Sequence, residues 1–112
     1  MITINRFDKE QAYPVHAGTI LGMKAFSEDM KPPFQHLYGH LESNGIMDGN
    51  RQGHKHATQE IYIVMRGEGF VILDDEEAPV QVGDVVEIPP NVSHTMENRS
   101  GNPLTWLAIW WA

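Results

Sequence analysis

Six histidines and no cysteine in a chain of 112 residues narrow the chemistry at once. Disulfides, thiolate-held zinc, iron–sulfur clusters and thiol nucleophiles are excluded, so histidine, carboxylates or a bound ion must do whatever chemistry there is. The notable arrangement is His54-Lys55-His56, with Glu60 four residues on and His94 beyond a turn-rich stretch. Side chains two apart on a strand project from the same face. His54, His56 and Glu60 share even parity, so one extended strand could present all three while Lys55 and Ile61 point the other way. His94 from a neighbouring antiparallel strand would complete three imidazoles and one carboxylate. That donor set suits a single divalent first-row ion: iron, manganese, nickel, zinc or copper. Held in six-coordinate form, the ion keeps about two positions for water, O2 or a chelating substrate.

Such a set needs strands to position it. Ten Gly and seven Pro divide the chain into short pieces, most of them alternating or rich in β-branched and aromatic residues. This predicts strands near Thr19 to Phe26, Phe34 to Glu42, His54 to Arg66, Gly69 to Leu73, Val85 to Ile88, His94 to Asn98 and Leu104 to Trp111. The acidic Asp74-Asp75-Glu76-Glu77 run reads as a solvated hairpin tip, and a turn near Asp8 to Tyr13 is the one helical possibility. With no repeat, low-complexity tract or linker, residues 1–112 read as one all-β domain. It should be a sandwich or closed barrel, because a single open sheet would leave an apolar face wet.

The formal charge of −7, with scattered Lys and Arg, sets aside nucleic acid and anionic membrane as partners. The longest apolar runs, Ile61 to Met65 and Trp106 to Ala112, fall far short of the roughly 20 residues that cross a bilayer. Asn5, Arg6, Asp8, Lys9 and Glu10 interrupt any signal-peptide pattern, so a cytoplasmic location is expected.

The run from His54 through Glu60, then six residues and Gly67, resembles the first conserved motif of the cupin superfamily. Gly83, Pro89, Pro90, Asn91, His94 and Asn98 resemble the second in order and spacing. Two positions depart: Asp48 and Asn91 stand where the family pattern has glycine, and Asn is the next best residue for a left-handed turn. The resemblance implies a double-stranded β-helix, or jelly roll, with His54, His56, Glu60 and His94 as metal ligands. It also implies that the strand carrying Phe34, His36, Tyr38 and His40 borders the cavity. His36, Tyr38 and His40 thereby become candidates for substrate contact or proton transfer.

Three functions compete: a dioxygenase-like oxidoreductase acting on a small organic molecule; an isomerase or decarboxylase in which His36 or His40 moves a proton; and a binding module without turnover. The binding form would commonly carry a helix-turn-helix domain, for which 112 residues leave no room, and that favours an enzyme.

His16 reads as surface or interface, and Arg51, Arg66 and Arg99 as solubilising charge. Alternation places Trp106 and Trp110 on one face of the last strand, and Leu107, Ile109 and Trp111 on the other. Only one face can fill the barrel. The other must be covered by a segment such as Ile2 to Phe7 or by a second subunit, and a homodimer is expected.

Overall fold

Apolar side chains that alternate along a strand need a facing layer, and this chain supplies it by folding into two sheets. The structure, a computed structural model, describes residues 1–112. Nine strands follow one another as β1 (Tyr13–Val15), β2 (Ile20–Met23), β3 (Gln35–Leu41), β4 (Gln59–Arg66), β5 (Glu68–Leu73), β6 (Glu76–Gln81), β7 (Val85–Ile88), β8 (His94–Glu97) and β9 (Leu104–Trp111). They form a six-stranded sheet, ordered β1-β2-β3-β9-β4-β7, and a three-stranded sheet, ordered β6-β5-β8, with antiparallel pairing throughout. The all-β jelly-roll expectation holds. No helix is long and apolar enough to cross a membrane.

Leu41, Met47, Val64, Val71, Met96 and Leu104 are buried together in the core. Trp106 lies opposite Gly39 across the β3–β9 pair. A Cβ at Gly39 would sit 2.6 Å from the indole, so the glycine gives the ring its seat.

Three local expectations are corrected. The predicted strand from His54 begins only at Gln59, and His54 instead forms an isolated antiparallel bridge with His94. Gly53 causes this: it is left-handed at φ 66, and a Cβ there would run into the His94 carbonyl. Glu76 and Glu77 belong to strand β6, so the solvated tip shrinks to Asp74 and Asp75; Pro79 is tolerated because β6 is an edge strand. Asp8 to Gln11 forms a single turn, closed by the Gln11 amide on the Asp8 carbonyl at 3.0 Å, and a short strand follows instead of a helix.

Strand parity divides the six-stranded sheet. Leu37, Gly39, Tyr62, Trp106 and Ala108 line a cavity on the inner face of this sheet. Tyr38 pairs with Leu107 and His36 with Ile109, all on the outer face. Phe7 covers part of that face, stacked on His40 at 4.9 Å and edge-on to Tyr38 at 6.0 Å. Trp111, Val85 and Met65 remain exposed.

Candidate metal centre

Each motif histidine is held by its Nδ1 atom. That of His54 lies 2.7 Å from Asp48 Oδ2, that of His56 lies 3.1 Å from the Thr58 carbonyl, and that of His94 lies 2.9 Å from the Val92 carbonyl. Carboxylate and carbonyl oxygens only accept, so Nδ1 carries the hydrogen in His54 and His94 and their neutral imidazoles keep the lone pair on Nε2; His56 Nδ1 also meets the Thr58 hydroxyl at 2.7 Å, which can donate or accept. Such outer partners orient ligating imidazoles and raise their basicity.

The ring nitrogens converge. One ring nitrogen from each of His54, His56 and His94 lies within 4.8 Å of the others, so the three form a group that could hold a metal ion. Glu60 Oε1 is 3.0 Å from His56 Nε2 and 3.2 Å from His94 Nε2. His94 Nε2 is nevertheless a buried polar atom with no hydrogen-bond partner. With the His94 hydrogen held at Nδ1, its Nε2 and the Glu60 oxygen are acceptor facing acceptor out of water, which calls for a shared cation between them. The residues therefore fit a divalent ion.

The local chain conformation explains how separate segments meet here. The His54–His94 bridge is closed by two backbone hydrogen bonds of 3.1 and 2.8 Å. The Asn91 amide donates to the His56 carbonyl at 2.7 Å, and Asn91 takes φ 63, the left-handed turn expected of it. Glu60 reaches the site from β4 and His94 from the start of β8, whereas His54 and His56 precede β4, so the parity of one extended segment does not account for them. Burial pushes the His54 imidazole below the ordinary histidine value against the opposing effect of the hydrogen bond it donates to Asp48, which favours the neutral, ligating form. Tyr62, buried and near the Glu60 and Asp48 charges, is pushed well above the ordinary phenol value and stays a protonated donor.

In front of the cluster lies a cavity of about 380 Å³. His16, expected at the surface, is in its wall, with Nδ1 3.2 Å from Asp48 Oδ1 and its ring 4.6 Å from that of His54. His36, Tyr38 and His40 are not in this wall. His36 Nδ1 accepts from the Ala25 amide at 3.1 Å, and its ring meets Phe26 at 4.7 Å. His40 contacts Thr105 and Glu42 through its two ring nitrogens. An odd–even slip explains the difference, since Leu37 and Gly39 are the inward residues of β3. Sequence reasoning missed Asp48, His16 and Tyr62; the signal available for Tyr62 was its position two residues after Glu60 on the same strand face.

A family model described as "Cupin domain" matches residues 46–110. The glucose-6-phosphate isomerase of Thermococcus gammatolerans is 36% identical over 67 residues, covering 53% of this chain and 35% of that protein. An oxalate-binding protein of Thermotoga maritima is 35% identical over 57 residues, covering 50% of this chain and 47% of that protein. The matches span less than half the length of these curated relatives. Among solved structures, a Cupin 2 conserved barrel domain protein from Salinispora arenicola aligns over 100% of this chain and 90% of its own. Its TM-score is 0.84 at 21% identity, a likeness of fold.

Proposed function

The chain belongs to the cupin domain family, matched over residues 46–110, and we propose that His54, His56, Glu60 and His94 hold one divalent transition-metal ion at the base of a site for a small organic molecule. The reaction class we assign is a dioxygenase-like oxidation. The observation that carries the metal reading is the inward set of imidazole nitrogens, above all the buried and unpartnered His94 Nε2 beside Glu60. A bound ion would supply Lewis acidity and, if redox-active, electron transfer.

The chain's own residues do the rest. Asp48 and Val92 fix the tautomers of His54 and His94 and Thr58 anchors the His56 ring, so the rings are already oriented for binding. Tyr62 and Trp106, with ring centroids 5.5 Å apart, form a dry wall beside His94. Tyr62 can donate a hydrogen bond to a ligand but cannot serve as a base near neutral pH. Non-redox proton transfer, as in an isomerase or decarboxylase, would have to use His16, since His36 and His40 lie outside the cavity wall. The exposed strip of Trp111, Val85 and Met65 supports assembly as a homodimer through the outer face of the six-stranded sheet.

Reconstitution of metal-free protein with Fe(II), Mn(II), Ni(II), Zn(II) and Cu(II), followed by metal analysis and O2 uptake with candidate keto acids and catechols, tests the assignment. Uptake of O2 coupled to substrate loss in one metalloform is the expected result. Metal binding with anaerobic turnover would replace oxidation by isomerase or lyase chemistry.

A further inference from the structure

The cavity in front of the proposed metal centre pairs a largely apolar wall with a few polar groups. Trp106, Trp110, Leu37, Ile20, Met47 and Ala108 supply its apolar surface, and no lysine or arginine lines it. Its polar groups are His16, Thr58, Tyr62 and the ligand cluster itself. A volume of about 380 Å³ lies at the small end of ligand pockets, enough for one ring and a short chain.

From this lining we infer that the site takes a small monoanion with an aromatic or otherwise apolar body and a chelating carboxylate or enolate head, and excludes phosphorylated sugars and small dianions. This rests on the metal reading above, because the head is assigned to the ion.

Charge decides the head group. A divalent ion is balanced by the Glu60 carboxylate beside it and the Asp48 carboxylate behind His54, so the centre has no surplus positive charge and a single anionic head is the least costly to seat. A phosphate dianion would leave an uncompensated negative charge with no cationic side chain to meet it, a costly burial. A sugar body fares no better, because its hydroxyls would exchange water for Trp106, Trp110 and Leu37, which offer them few partners. Aromatic or aliphatic bodies gain from burial on the same surfaces. The wall is also built to hold its shape: Trp106 rests on Gly39 and meets Tyr62, whose ring lies 6.1 Å from that of His94.

The test uses phenylpyruvate, oxalate and glucose 6-phosphate as probes against one Zn(II)-loaded sample and one metal-free sample, read by calorimetry and by quenching of tryptophan fluorescence. Metal content is measured first, and failure of the protein to take up metal overturns the metal reading by itself. The ranking of probes tests the inference in either sample, because the wall lacks a cation with or without the ion. Expected is phenylpyruvate binding at least ten-fold tighter than glucose 6-phosphate in both, and tighter than oxalate in the loaded form. Trp110→Ala should weaken phenylpyruvate ten-fold or more while leaving metal content and oxalate affinity within two-fold. Glucose 6-phosphate or oxalate binding as tightly as phenylpyruvate, or an unchanged phenylpyruvate affinity in the folded Trp110→Ala protein, overturns it.

Discussion

Replacing Asp48 by glycine should separate stability from metal affinity. Asp48 is a residue with a Cβ held at φ 64, ψ 2, where the family pattern has glycine. Its carboxylate bridges His54 Nδ1 at 2.7 Å and His16 Nδ1 at 3.2 Å. Its amide donates to Thr19 Oγ1 at 2.8 Å, a bond glycine keeps. Relief of the left-handed backbone is worth about 1 kcal/mol, somewhat less for Asp than for most residues. Greater freedom of glycine in the unfolded chain costs about 0.5–1 kcal/mol, and each lost half-buried hydrogen bond costs about 1 kcal/mol. The metal-free protein should therefore lose no more than about 2 kcal/mol. Metal affinity should fall roughly 10- to 100-fold, the usual effect of removing a carboxylate behind a ligating histidine. That is about 1.4–2.7 kcal/mol of binding. Asp48→Asn, which tolerates the backbone and can still accept from His54, should lie between. Urea unfolding of the metal-free proteins and Zn(II) competition against a chromophoric chelator read the two quantities. Unchanged affinity in Asp48→Gly, with His54 unanchored, would refute the positioning role.

Gly53→Ala should abolish metal binding even though it alters no ligand, because its Cβ meets the His94 carbonyl and breaks the His54–His94 bridge; a variant that binds zinc normally would contradict this. Burial holds both His36 and His54 below the ordinary histidine value, so the unfolded chain takes up protons first as pH falls through about 6.5. The contribution to stability is full above that pH and is lost below it, so urea midpoints of the metal-free protein should decline from about pH 7.5 to about pH 5, and a flat profile would count against it. Trp111→Arg places a charge on the outer apolar strip and should convert a dimer to a monomer of 12.7 kDa in sedimentation equilibrium; a dimer unaffected by the substitution would move the interface elsewhere.

Much of the site could be read from residue type and spacing. His54, His56, Glu60 and His94 do converge, and Asn91 and Gly67 adopt the left-handed backbone that their places in the motifs require. What parity could not give was the route. Gly53 and the Asn91–His56 backbone bond turn the chain before β4 begins, and both depend on a segment some 40 residues away, the His94 hairpin. The same non-local pairing explains β3. Alternation placed His36, Tyr38 and His40 together correctly but could not say which face was inward; the glycine seat for Trp106 at Gly39 decides it. For β9, alternation sufficed, and Trp106 and Trp110 line the cavity while Trp111 is exposed. Asp48 carried the weakest signal, visible only as a departure from a glycine position, and its meaning depends on the approach of His16 and His54.

The metal content of the wild-type protein, beside that of the His54→Ala/His56→Ala double variant, tests the central claim most directly. Both are loaded with one divalent ion, dialysed, and measured by mass spectrometry of the elements, with circular dichroism confirming a folded β protein. One ion for each wild-type chain, and none in the folded double variant, is the result the His54, His56, Glu60 and His94 centre predicts. A wild-type chain that retains no transition metal, or a double variant that retains as much as the wild type, would contradict it.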